Sequence, residues 1–175
     1  MFVKYCPLCR CELSCRTIHG HIRLACSSSS CEFVHWNNPI PVVAGLVQWA
    51  DGYLLARNAS WPAEMFSVLT GFLEEGESPE AAVVREIREE LGVETESVEF
   101  IGHFPLPKLN QLIIAYVLRT TGALALDHEI AEVKTVSSDE LASFDFGPLE
   151  LTREIVSRWQ ARLQHDIQSL ENPPT

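Results

Sequence analysis

The sequence predicts an α/β fold, with strands sandwiched between helices and a small metal-stapled ribbon in front. Three observations lead there. All six cysteines lie within the first 31 residues. Two apolar runs flank Asp51-Gly52 in "VVAGLVQWADGYLLARN", a hairpin signal in which Asp-Gly supplies the positive φ of a tight turn. Two later stretches, 78–91 and 148–170, carry apolar residues at helical spacing.

The chain has 175 residues, enough for one medium domain and a small module. Hydrophobic residues make up 46% and charged ones 21%, which supports a core of ordinary size. The formal net charge of −11 argues against binding bare nucleic acid by electrostatics alone. A phosphate substrate would need its repulsion neutralised, and a divalent cation is the direct means. The start, "MFVKYC", is too polar for a secretion signal. The longest apolar runs, "VVAGLV" and "LIIAYVL", are strand-sized and well below the roughly 20 residues of a membrane span. The expectation is a soluble, cytoplasmic protein with no membrane partner.

Residues 1–37 form the cysteine module. Cys6-x2-Cys9 and Cys26-x4-Cys31 read better as two knuckles on one structural Zn²⁺ than as a disulfide framework, which belongs to secreted chains. Cys11 and Cys15 are spare, and either one replacing a ligand stays open. The histidines His19, His21 and His35 are more simply surface groups. So short a module needs a staple, so metal binding and folding are linked. "NNPIP" at 37–41 marks the boundary, and 38–175 is the second domain.

After the hairpin, "ASWPAEMFSVLTGFLEEGES" is mostly irregular, with one apolar piece, "FSVL". Ser78 caps a helix, Pro79 suits its first turn and Gly92 stops it. "VEFIGHF", "QLIIAYVLRT" and "EVKTVSS" are strands, and "SSDELAS" is a short helix. Leu151, Ile155, Trp159, Leu163 and Ile167 form one apolar stripe on a last helix, and "ENPPT" is a tail.

Glu86, Glu89 and Glu90 fall at i, i+3 and i+4 on the 78–91 helix and share a stripe, beside an apolar stripe of Val84, Ile87 and Leu91. Arg85 and Arg88 are expected on other sides of the helix. Like charges so placed repel, and a solvated charged face competes with a divalent-cation site as the explanation. The wider stretch "GFLEEGESPEAAVVREIREELGV" decides between them. It sets Gly71, five residues, Glu77, seven residues, then Arg-Glu-aliphatic-x-Glu-Glu-x-Gly-aliphatic, and so resembles the Nudix box at every fixed position.

The resemblance implies an α/β/α sandwich with a mixed β-sheet. It implies hydrolysis of a nucleoside diphosphate linked to another group. Glu86, Glu89 and Glu90 would hold Mg²⁺ or Mn²⁺, Glu77 would support a further ion, and Arg85 would fix a box carboxylate in its rotamer. Glu129 in "DHEIAEV" matches where related enzymes place an extra acid, as metal ligand or general base, with a solvated loop acid as its plain alternative.

With the cysteine knuckles, the chain resembles the zinc-ribbon branch that acts on NADH, FAD or ADP-ribose. The likeness covers Cys6 to about Phe144. Two departures stand out. Arg10 replaces the usual glycine of the first knuckle, and "HFPLPKLNQ" at 103–111 replaces the "SQPWPFPxS" of the NADH-specific members. Phe72, Phe104 and Trp61 are candidates to stack on a substrate ring, and Arg57 is a candidate substrate contact. The resemblance further implies a homodimer. Two other functions compete: removal of an NAD cap from RNA 5′ ends, and a non-catalytic nucleotide sensor, whose box would be expected to have decayed.

Overall fold

The hairpin expected around Asp51-Gly52 forms, but its turn is shifted by one residue. Trp49 pairs with Gly52, so Ala50 and Asp51 are the turn residues, and the positive φ (50°) falls on Ala50. Gly52 already belongs to the strand. Its value is space, because a Cβ there would lie 2.7 Å from the Val136 carbonyl oxygen of the neighbouring strand.

The computed structural model describes residues 3–171. The chain divides into two units, Met1–Pro39 and Ile40–Thr175. In the first, strands β1 (Leu13–Ile18), β2 (His21–Cys26) and β3 (Val34–His35) form a three-stranded antiparallel sheet.

The second unit runs β4 (Ile40–Trp49), β5 (Gly52–Asn58), β6 (Leu69–Phe72), α1 (Pro79–Leu91), β7 (Glu94–Leu106), β8 (Gln111–Thr121), β9 (Ile130–Val136), α2 (Ser138–Ser143) and α3 (Glu150–Glu171). The sheet order is β7-β8-β4-β5-β9, with β6 also on β4. The β4–β8 pair is parallel and the others are antiparallel, so the sheet is mixed.

Alternation along β4 splits the core between two faces. Val42, Ala44 and Leu46 pack with Leu141, Ile155, Val156 and Trp159 of α2 and α3. Val43 and Val47 pack with Ala82, Val83, Ile87 and Leu91 of α1. Helices thus cover both faces, giving the expected α/β/α sandwich. On α3, Leu151, Ile155, Trp159 and Leu163 join the first cluster, while the Ile167 side chain and the "ENPPT" tail after Glu171 lie outside the described residues. Trp159 Nε1 donates to the buried Tyr53 hydroxyl at 2.9 Å, satisfying the one polar atom of the indole. Among the described residues no helix is long and apolar enough to cross a membrane.

Candidate active site

Helix α1 is capped as its sequence requires. The Ser78 hydroxyl accepts from the Ala81 N–H at 3.2 Å, and Gly92, at φ 70°, sends its N–H to the Arg88 carbonyl. The buried stripe is Ala82, Val83, Ile87 and Leu91. Val83 therefore takes the central place expected of Val84, which is only partly buried.

Arg85 pairs with the box acids, as the resemblance implied, although its place on the helix wheel is to one side of their stripe. Its Nε donates to Glu77 Oε1 (3.0 Å) and its Nη2 to Glu77 Oε2 (2.9 Å) and the Phe72 carbonyl (3.1 Å). Its Nη1 reaches Glu86 Oε1 (2.9 Å) and Glu89 Oε2 (3.1 Å). A long guanidinium spans one helical turn easily, so i+4 places Glu89 within reach. The pairing with Glu77, then Glu86 and Glu89, holds the Arg85 pKa above its usual range. Arg85, and next the Glu74 N–H, draw the Glu77 carboxyl below its own. In this arrangement Glu77 braces Arg85 with both oxygens.

Glu86 is seated by a gap opposite it. A Cβ on Gly71 would lie 2.0 Å from the Glu86 carboxyl carbon, so no other residue at 71 leaves Glu86 where it is. Burial raises the Glu86 pKa against the pull of Arg85. Glu90 is pushed further, to about 7, by burial first and then by Glu86, Glu129, Asp127 and Glu89. Its Oε2 is buried and has no hydrogen-bond partner. A buried carboxylate oxygen left unsatisfied amid four other carboxylates is costly without a cation, and it fits a hard divalent ion. Oxygen donors on a packed helix are the donor set that Mg²⁺ or Mn²⁺ takes.

The loop carrying Glu129 is tied to this helix. The Ala125 N–H donates to the Leu91 carbonyl (2.8 Å) and the Asp127 N–H to the Glu90 carbonyl (3.0 Å). The Ala59 N–H in turn donates to the Glu129 carbonyl (2.8 Å). These bonds satisfy helix-end carbonyls and bring Asp127 and Glu129 near Glu90. Asp127 was missed in the sequence, where it is one more acid in "LDHEI". Glu90, Thr70, Trp61, Asn58 and Ile130 line a small pocket of about 50 Å³.

The candidate substrate contacts separate. Phe72 is 58% exposed, so its side chain is open to stacking. Phe104 is fully buried, with the Arg158 guanidinium 4.5 Å from its ring centre, so it is a core residue and has no face to offer a substrate. A β-bulge between Phe100 and Gly102 explains how Ile101 and Phe104, an odd number of residues apart, both join the α3-side cluster. Arg57 is mostly buried and pairs with Glu132 at 3.4 Å, while its Nε has no partner.

In the first unit the Sγ atoms of Cys6, Cys9, Cys26 and Cys31 lie within 4.8 Å of one another. Cys6 and Cys31 are 3.7 Å apart and Cys9 and Cys26 3.3 Å, close to the edge of a tetrathiolate tetrahedron with ~2.3 Å metal–sulfur bonds. Among the described residues this is the one group of three or more ligand atoms that converges so tightly, and the α1 carboxylates do not. Cys11, Cys15 and the three histidines stay outside it. Arg10 sits at φ 63°, the left-handed region that favours glycine, which accounts for the glycine usual at that knuckle.

The family model described as "NUDIX domain" matches residues 39–159. The chain is 36% identical over 140 residues to a protein named NAD-capped RNA hydrolase NudC from Mycobacterium bovis, covering 69% of this chain and 45% of that one. It is 33% identical over 115 residues to the human mitochondrial NAD(P)H pyrophosphatase NUDT13, covering 63% and 33%. The chain thus spans about half or less of the length of these curated relatives. Among solved structures, a NUDIX hydrolase from Nitrosomonas europaea superposes with a TM-score of 0.77 over 93% of both chains, at 22% identity.

Proposed function

This chain belongs to the Nudix family, and on that footing we propose that it is a divalent-metal-dependent pyrophosphohydrolase. Its substrate would be a dinucleotide (NADH, NAD or FAD) or ADP-ribose, cut at the P–O–P bridge to release AMP. The observation that carries this reading is the buried, unpartnered Oε2 of Glu90 amid Glu86, Glu89, Asp127 and Glu129. Glu86, Glu89 and Glu90 would hold Mg²⁺ or Mn²⁺. Such ions neutralise the pyrophosphate and lower the pKa of a bound water.

The chain's own residues do the rest. Arg85, braced by Glu77, sets the carboxylates of Glu86 and Glu89. Glu129, exposed on its anchored loop, takes the proton of the attacking water. Water forms one P–O bond as the bridging P–O bond breaks, and the leaving phosphate departs with the bridging oxygen. Phe72 offers its exposed ring to a base or second ring. The four clustered thiols would hold a structural Zn²⁺.

A second reading, removal of an NAD cap from RNA, is favoured by the named activity of the Mycobacterium bovis relative and uses the same bond cleavage. A non-catalytic sensor is disfavoured because every box acid is present.

The test is a panel of NADH, NAD, FAD, ADP-ribose, nucleoside triphosphates and NAD-capped RNA, incubated with Mg²⁺ or Mn²⁺ and read by chromatography. AMP from one dinucleotide well above the rest is expected, and Glu89→Gln should abolish it without loss of fold. Equal activity in that variant, or no cleavage of any compound, overturns the assignment.

A further inference from the structure

We propose that the amino-terminal unit carries a binding face for single-stranded RNA, built on Trp36 and Arg23. Arg16 of β1 pairs directly with Arg23 of β2, and directly opposed residues of an antiparallel pair share a face. His35 of β3 pairs with Leu24, which places Trp36 beside Arg23. The Arg23 guanidinium lies 4.8 Å from the Trp36 ring centre, and its Nη1 donates to the Trp36 carbonyl at 2.8 Å. The His19 ring stacks on the same indole at 6.4 Å. A cavity of about 500 Å³ opens here, lined by Ile22, Arg23, Leu24, His35, Trp36 and Asn37.

Two features of this cavity ask for a ligand. Trp36 is 44% exposed, a large apolar residue to leave open on so small a unit. The Arg23 Nε is buried without a hydrogen-bond partner. An indole layered with a guanidinium is the combination that holds single strands, the ring taking a base face and the cation the backbone. Paired bases in a duplex offer no such face.

Charge does not oppose it. The first 39 residues hold Lys4, Arg10, Arg16 and Arg23 against only Glu12 and Glu32, and every other acid of the chain lies later. Even with a tetrathiolate zinc site the unit is neutral, while the remainder carries the whole negative excess.

The proposal does not rest on the pyrophosphatase reading, because binding is measured without added Mg²⁺ or Mn²⁺. Full-length, zinc-loaded protein is titrated into a fluorescein-labelled single-stranded RNA of about ten nucleotides, followed by anisotropy at several salt concentrations. Binding that weakens with salt is expected, with duplex RNA binding more weakly. Trp36→Ala should lose about tenfold in affinity and Trp36→Phe should keep most of it. Arg23→Gln should lower the salt slope by about one. Circular dichroism and zinc content confirm that each variant is folded. No binding by the wild type, or equal binding by folded Trp36→Ala, overturns the proposal. So does a change in mass by light scattering in Trp36→Ala with RNA affinity intact, which would make this face a contact between copies.

Discussion

Both carboxylate oxygens of Glu77 accept hydrogen bonds from Arg85, from Nε at 3.0 Å and from Nη2 at 2.9 Å, across the loop that opens α1. The match is between two planar forks, and it leaves Nη1 free to reach Glu86 and Glu89. One side chain therefore fixes the loop and two carboxylates together. Lysine offers a point charge and cannot repeat this geometry. Arg85→Lys is expected to fold, to bind the catalytic metal more weakly by about 10- to 100-fold, and to lose activity to match. A Mn²⁺ titration of turnover checks it, and an unchanged metal dependence would show that Arg85 does not position the acids.

Gly71 is the spatial counterpart of that brace. Its Cβ would lie 2.0–2.3 Å from three atoms of the Glu86 side chain, so Gly71→Ala must expel Glu86. Glu86 is held by Arg85 and partly buried, so it can leave only by breaking that pair. Activity should fall by about two orders of magnitude, while stability drops by no more than about 1–2 kcal/mol, because a side chain moves and the sheet does not. Turnover and thermal melting of the same sample separate the two effects.

Glu90 gives a pH signature in metal-free protein. Burial and its acidic neighbours raise it from 4.5 to about 7. Between those values the folded chain holds a proton that the unfolded chain has lost, so stability falls as pH rises through the window. Glu90→Gln keeps the shape without the charge. It should melt with the wild type near pH 4 and above it near pH 8, by at most roughly 3 kcal/mol. Added Mg²⁺ should close the gap by stabilising the wild type. A difference that does not depend on pH would mean that Glu90 titrates as an ordinary carboxylate.

Local signals in the sequence translated directly into structure. Ser78, Pro79 and Gly92 bound α1 because caps act over one turn. Cys6, Cys9, Cys26 and Cys31 were identified from spacing, and their thiols converge. Three things depended on contacts that spacing cannot show. Arg85 reaches the acids because its side chain is long, not because of its angle on the helix wheel. Asp127 joins the site only because its N–H and that of Ala125 bind the end of α1. Phe104, at the end of the expected strand "VEFIGHF", is buried because a bulge between Phe100 and Gly102 turns it to the face covered by α3.

The ribbon offers the last prediction. Its sheet has three short strands, and among the described residues the buried core of the first unit is Cys6, Ala25 and Cys26 alone. So little apolar burial cannot order about forty residues. With the proposed zinc removed, the four gathered thiols lose the ligand bonds that offset that entropy. Zinc chelation should therefore speed hydrogen exchange in β1 and β2 while β4, β8 and α1 keep their protection. Arg10 adds to the load, because its φ of 63° costs a side chain about 1 kcal/mol. Arg10→Gly should raise the chelator concentration needed to release the strands. If β1 and β2 stayed protected in zinc-free protein, the thiols would not be what holds the ribbon. If Arg10→Gly loosened it, the Arg10 side chain would contribute more than its backbone costs.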